Sequence, residues 1–324
     1  MVFLFLWNVK YYTEVKFSEH KEKIDYQSRL LFLGSCFSEN IGHWLKELRF
    51  QTTVNPYGIT YNPISISDQI IHSLSESSFP EAHEVEHNTG MVHLDLHKDL
   101  NAEGYNENIL QIRKGLKKEL IDTSHLFLTF GTSYAFRYKE TGKIINNCHK
   151  IPGSQFERIL LEESVMFESL STALNDLLVV NKDIRIFLTV SPIRHLRHGA
   201  TGNQRSKSRL IRLSEMLEST FKSIHYIPIY ELVMDELRDY RFYRSDDMLH
   251  LNQLGLETVK NRIMKNYIDP SAYALMDRVE SWLKMKSHRV QNSDSPETQK
   301  FKEKLQAETE ELNRLFRQLG SANG

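Results

Sequence analysis

An α/β fold, with a parallel sheet covered on both faces by helices, is predicted by three features of this 324-residue chain. Short apolar segments at Arg29–Leu33, His125–Phe130 and Ile184–Val190 read as strands buried on both faces. Each runs into a small or polar residue. Amphipathic segments of helical period lie between them. In such sheets ligands bind beyond the carboxyl ends of the strands. That rule gathers Ser35-Cys36, Gly131-Thr132-Ser133 and Ser191-Pro192 at one rim.

The elements follow in order. Met1 to Trp7 is apolar but short, and it lacks a basic flank and a small-residue cleavage site. It reads as a start-site extension or an added strand, within an N-terminal extension over 1–24. Glu39–Leu48 is a helix with Ile41, Trp44, Leu45 and Leu48 on one face. Ser65–Ser75 is a helix with Ile66, Ile70 and Leu74 in register. Residues 80–105 are polar and read as loop with short strands. Asn106–Ile121 is an amphipathic helix bearing Ile109, Ile112, Leu116 and Leu120. Phe136–Tyr138 and Lys143–Ile145 flank Glu140-Thr141-Gly142 as a hairpin. Phe156–Val180 reads as one long helix. Gln204–Phe221 is a helix with Leu210, Leu213, Leu217 and Phe221 inward. Tyr226–Pro228 is a short strand, and a helix starts near Ile229.

The tail differs from the rest. Asp277–Lys286 is a helix, and Ser295-Pro296 is a good start for another. Phe301, Leu305, Leu312, Leu315 and Leu319 then trace one stripe. This predicts a helical hairpin that packs on the core or on a second subunit, making a homo-oligomer through the C-terminal helices. The chain therefore divides into one catalytic domain over 1–276 and a helical extension over 277–324. No internal repeat is present.

Composition bounds the function. Lys and Arg total 41 against 42 Asp and Glu, a net charge of −1, which offers no electrostatic case for nucleic acid or a membrane surface. No run has the length of a membrane span. Two cysteines are too few for a disulfide framework and fit a reducing compartment, so a cytoplasmic location is expected. A Cys36–Cys148 disulfide is disfavoured there.

One of the two cysteines sits where chemistry is common. Gly34-Ser35-Cys36-Phe37 joins a strand to a helix N-terminus, where the helix dipole favours the thiolate. Far along the chain, Asp247 and His250 stand three apart and share a face on a turn. A histidine acting as base needs a carboxylate to fix its tautomer, and Asp247 is suited to this.

Several longer stretches carry a resemblance. They are Gly34-Ser35-Cys36-Phe37, Asn55-Pro56-Tyr57-Gly58-Ile59-Thr60-Tyr61-Asn62-Pro63, Phe130-Gly131-Thr132 and Asn147-Cys148-His149-Lys150. Thr189-Val190-Ser191-Pro192-Ile193-Arg194-His195 and Leu237 to Tyr243, running into Asp247–His250, complete the set. With them the chain resembles the GSCFA family, which is similar to the SGNH (GDSL-like) hydrolases, from about Asp25 to about Tyr267. The resemblance implies a three-layer α/β/α fold of flavodoxin-like type and an esterase or acyltransferase acting on a small-molecule ester or acyl group, carbohydrate-linked groups included. It needs no cofactor. Position by position it puts Cys36 at the nucleophile, with Ser35 as competitor. Asp247 and His250 complete the triad, and Gly58 lends an oxyanion N–H.

The departures are specific. Gly131-Thr132-Ser133 stands where the hydrolases carry Gly-x-Asn, so that side-chain donor is missing, a loss of about 3 kcal/mol in transition-state binding unless replaced. Asn62 and Asn147 are the candidate replacements. Leu251 follows His250 where the family usually has proline. A cysteine nucleophile suits acyl transfer at least as well as hydrolysis. The same departures support an alternative, a ligand-binding protein on a hydrolase-like scaffold that has lost catalysis.

The remaining candidates have two readings each. His149 and Lys150 line the pocket or serve a loop. Arg194 and His195 bind an anionic substrate group or form a surface pair. Arg197, Arg205, Lys207, Arg209 and Arg212 read as a solvated basic helix face. His83, His87, His93 and His97 have spacings that invite a metal, but without a clear helix or a cysteine ligand they read as structural or exposed histidines. No metal is expected.

Overall fold

The computed structural model describes residues 13–18, 20, 22–75, 84–87, 90–97, 105–288 and 295–321. The apolar Met1–Trp7 segment and His83 lie outside these. The chain runs β1 (Arg29–Gly34), α1 (Cys36–Glu47), β2 (Gln51–Val54), α2 (Pro63–Leu74), β3 (Glu84–His87), β4 (Gly90–His93) and α3 (Tyr105–Asp122). It continues through β5 (His125–Phe130), β6 (Tyr134–Tyr138), β7 (Ile144–Ile145), β8 (Phe156–Leu160), α4 (Glu163–Val180) and β9 (Arg185–Val190). Then come α5 (Gly199–Thr220), β10 (Ile224–Tyr226), α6 (Ile229–Glu231), α7 (Gln253–Tyr267), α8 (Tyr273–Ser287) and α9 (Pro296–Ser321).

A five-stranded sheet in the order β10-β9-β5-β1-β2 forms the centre, and every pairing in it is parallel. Alternation splits the strand residues between two faces. Leu30, Phe32, Phe127 and Phe187 pack under α1, α7, α8 and α9, against Ile41, Leu45, Val259, Ile263, Val279 and Leu312. Phe32 stacks on Phe127 at 4.4 Å, and Phe127 on Phe187 at 5.0 Å. Leu31, Leu33, Leu126, Leu128, Ile186 and Leu188 pack on the other face, under α2, α3, α4 and α5. The fold is thus α/β, a parallel sheet between two helical layers.

Two expected helices take another form, and β2 and α7 stand where no element was expected. Phe156–Val180 is not one helix: Phe156–Leu160 is β8, antiparallel to β6, and α4 begins at Glu163. The ladder offered by β6 satisfies the β8 backbone, while Phe156 joins a small cluster with Tyr138 and Ile145. The helix expected from Ile229 is a single turn, widened at Leu232–Glu236, where Leu237 N–H reaches back to the Leu232 carbonyl at 3.2 Å.

The C-terminal hairpin lies on its own core. Trp282 Nε1 donates to Thr309 Oγ1 at 2.8 Å, and Arg278 pairs with Glu308 and Glu311 at 2.6 and 2.7 Å. Arg49 Nη1 donates to Asn313 Oδ1 at 2.9 Å, with its guanidinium over Trp282. No helix among the described residues is long and apolar enough to cross a membrane.

One buried imidazole makes the sheet acid-sensitive. His125 stacks on Phe187 and meets Ser124 Oγ through Nδ1 at 2.8 Å. Burial pushes its pKa from 6.5 down to about 4, and His20 and Arg185 add to the fall. Between these values the unfolded chain takes up a proton that the folded chain refuses. Stability from this group is therefore complete above pH 6.5 and is lost as pH falls toward 4. The difference is on the order of 3 kcal/mol. His125→Phe should remove that share of the acid limb in urea titrations across the window. An unchanged limb would contradict the assignment.

Candidate active site

Cys36 is delivered to the rim by a turn that only glycine permits. Gly34 has φ +141°, and a Cβ there would stand 2.3 Å from the Thr129 carbonyl oxygen on β5. Gly34 N–H donates to Asn55 Oδ1 at 2.9 Å, and its carbonyl accepts from Thr60 N–H at 2.9 Å. Ser35 N–H donates to the Thr129 carbonyl at 3.2 Å. Three segments thus hold the turn, and Cys36 becomes the first residue of α1, three positions earlier than the apolar pattern suggests.

The competing nucleophile is hidden. Ser35 is 1% exposed, and its hydroxyl has no hydrogen-bond partner. No group is placed to take its proton. Cys36 is half-buried and a free thiol, as is Cys148.

The expected thiolate character of Cys36 is not what its surroundings produce. Burial pushes the thiol up, and this outweighs the Phe37 N–H that favours the anion. Glu39 adds to the rise, while the Cys36 N–H and Lys207 oppose it. The site holds a protonated thiol that needs a base.

Asp247 and His250 meet in a turn closed by a bridge between Tyr243 and Leu251 and by Arg244 N–H on the His250 carbonyl at 2.8 Å. Asp247 Oδ1 accepts from Leu249 N–H at 2.8 Å and His250 N–H at 2.9 Å. Its Oδ2 lies 2.6 Å from His250 Nδ1. Those bonds hold the carboxyl well below the usual carboxylate range, so it stays ionised. An ionised acceptor fixes the proton on Nδ1 and leaves Nε2 as the working nitrogen. Arg194 steadies the same turn: Nη2 donates to the Met248 carbonyl at 2.9 Å, and its guanidinium lies over Tyr243.

Several predicted residues have structural work instead. Gly58 cannot lend its N–H to an oxyanion, because it donates to the Asn55 carbonyl at 2.8 Å within a tight turn. Asn62 caps α2, accepting from Ser65 N–H and donating to Ser65 Oγ, both at 2.9 Å. Asn147 accepts from His149 N–H at 3.2 Å. His149 Nε2 reaches the carbonyls of His93 and Leu96 at 3.0 and 2.7 Å, pinning that turn rather than lining a pocket. The N–H groups of Gly131 and Thr132 both go to the Tyr61 carbonyl, at 2.8 and 3.0 Å. His93 and His97 enter no group of three or more ligands that could hold a metal among the described residues. His97 Nδ1 instead meets the Ile59 carbonyl at 3.1 Å.

His195 lies inside the rim, not on the surface. Tyr61 meets its ring edge-on at 5.6 Å, and burial pushes its pKa down to about 4, with Lys207, Arg158 and His250 adding to the fall. Tyr61 in turn is raised by burial and by Cys36. Cys36, Tyr61, Lys207, His195 and His250 therefore form one electrostatically linked group.

Lys207 is the residue sequence reasoning misplaced. Read as part of a solvated basic face, it is 0% exposed. Its Nζ donates to the carbonyls of Gly131 and Ser191, both at 2.6 Å, which ties the ends of β5 and β9 together. Burial pushes its pKa down to about 7, while Cys36 raises it. A signal was available: Lys207 stands three residues before Leu210 on the stripe that continues through Leu213 and Leu217. Asn203, one turn earlier on that face, is 4% exposed and accepts from His195 N–H at 2.9 Å.

The sequence profile of the GSCFA family matches residues 29–267. This chain belongs to the GSCFA family. The matched GSCFA region runs from β1 to the end of α7 and contains Cys36, Lys207, Asp247 and His250, while α8 and α9 lie beyond it. A search of curated proteins finds no match.

The Gly34 turn is the geometry on which Cys36 depends. Gly34→Ala should cost about 2–4 kcal/mol, through the clash with Thr129 and the positive φ. Thermal melting and the rate of Cys36 alkylation should both change. Wild-type values for both would contradict the role of this turn.

Proposed function

We propose that this GSCFA protein is an SGNH-like hydrolase or acyltransferase that works on an ester or acyl group through Cys36, His250 and Asp247. The observation that carries the reading is the 2.6 Å contact between Asp247 and His250 Nδ1, made in a turn that also donates two N–H groups to the same carboxylate. Such an arrangement orients an imidazole for proton transfer. The electrostatic link from His250 through His195 and Lys207 to Cys36 supports a shared site.

In this reading the Cys36 sulfur attacks the carbonyl carbon while a base at the rim takes the thiol hydrogen, and on collapse that base returns it to the leaving oxygen or sulfur. The first N–H groups of α1, at Cys36 and Phe37, lie beside the sulfur and stabilise the oxyanion, in place of the N–H that Gly58 has spent. Collapse expels the alcohol or thiol and leaves a thioester. Water or an acceptor hydroxyl then attacks, giving its proton to His250 Nε2. The thiolate leaves and recovers that proton.

Two observations favour the second reading, a binding protein without turnover: the Gly58 N–H is spent on the Asn55 carbonyl, and burial disfavours the thiolate. Turnover of short-chain aryl esters and acyl thioesters separates the two. Cys36→Ala and His250→Ala should each lower turnover by about 100-fold or more, while Ser35→Ala leaves it within about threefold. A wild-type protein that binds these compounds without turnover, or a Cys36→Ala protein as active as wild type, overturns the enzymatic reading.

A further inference from the structure

A wholly buried lysine demands an account beyond holding two strands together. Gly131 O and Ser191 O each receive one hydrogen from Nζ, at 2.6 Å. Two donors suffice for that task, and a glutamine amide supplies two without burying an ionisable group. Lysine brings one thing more. In the ammonium this is a third N–H, and in the free amine it is a lone pair. No partner among the described residues uses it.

The position of Nζ says where that surplus goes. Gly131 follows β5 directly, Ser191 follows β9, and Cys36 lies two residues beyond the end of β1, the strand beside β5. Among ionisable groups, Cys36 favours charge on Lys207, and His195 shares the same surroundings. Burial works against charge on both, so the thiol keeps its hydrogen until a base takes it, and the Nζ lone pair is available from about neutral pH upward.

We propose that Lys207 is the proton acceptor for Cys36, taking the thiol hydrogen onto Nζ, directly or across one water, as the sulfur attacks. The S–H bonding pair stays on sulfur and becomes the S–C bond, and the Nζ lone pair forms the new N–H bond. On collapse Nζ returns the proton to the leaving oxygen or sulfur. His250 is then needed only when the thioester is attacked. The proposal rests on Cys36 being the nucleophile, and it assigns the two half-reactions to different bases.

The test is the pH profile of Cys36 alkylation by iodoacetamide, which needs no substrate and so stands or falls apart from the acyl chemistry. The charged or titratable neighbours of the pair are Glu39 on α1, Tyr61 before α2, His195 after β9, and Arg158 and His250 facing His195. Lys207→Gln, which keeps two donors, should slow alkylation near neutral pH by about tenfold or more and move the inflection upward. Lys207→Arg, which cannot accept a proton, should not restore the rate, and His250→Ala should not reproduce the loss. In His250→Ala an acyl adduct should accumulate on Cys36, whereas in Lys207→Gln it should form slowly.

A folded Lys207→Gln protein with the wild-type profile overturns the proposal, as does a His250→Ala protein that reproduces the loss. Should Lys207→Gln fail to fold, the Lys207 13Cε resonance decides. The rate of Cys36 alkylation in the wild type should follow the loss of the Nζ proton read from that resonance, and a rate that does not follow it overturns the proposal.

Discussion

The chain can leave β1 toward Cys36 only because residue 34 has no side chain. The backbone of Gly34 lies so close to the Thr129 carbonyl that no Cβ fits, and Ser35 N–H bonds that same carbonyl. This contact sets the register between the end of β1 and β5. It also turns Ser35 into the interior and Cys36 outward as the first residue of α1. Asn55 and Thr60 then attach the next loop to the turn, and Tyr61, from that loop, receives the first two N–H groups after β5. The rim is built outward from one close approach of two backbones.

Desolvation governs the chemistry of that rim. A helix N-terminus alone would favour a thiolate. Burial outweighs it here, raising the thiol and lowering the lysine and His195 at the same site. The lysine, which would be fully charged in water, is thereby brought toward its free amine near neutral pH, while the thiol keeps its hydrogen. Asp247 is the contrast. It lies in a solvated turn, its carboxylate is held by two N–H groups and an imidazole, and it stays ionised. In the proposed reading, one side of the site supplies proton acceptors and the other a fixed negative charge.

Much of this was legible in the amino-acid order. β1, β5 and β9 are buried on both faces, so they are nearly pure apolar runs that stand out in the sequence, whereas the edge strand β2, Gln51–Val54, is polar and carries no such signal. Asp247 and His250 were legible because their contact spans three residues and needs no tertiary knowledge. Phe156–Val180 was not divisible by pattern: apolar residues continue through it, and only the partner strand β6 makes its first part extended. Lys207 was hidden by its type, since lysine on a basic helix reads as solvated, although its place in the Leu210 stripe argued otherwise. Gly58 and Asn62 could not be assigned by type either. The Gly58 N–H goes to Asn55 and the Asn62 amide caps α2 at Ser65, and which partner a donor finds depends on turn geometry that residue identity leaves open.

The account stands on Cys36 as the atom that becomes acylated. Brief exposure to p-nitrophenyl acetate, an acid quench and peptide mass mapping would identify the acylated side chain directly. The account predicts one acetyl group on Cys36, released by neutral hydroxylamine as a thioester is. An acetyl group on Ser35, or acetylation confined to scattered surface lysines, would contradict it.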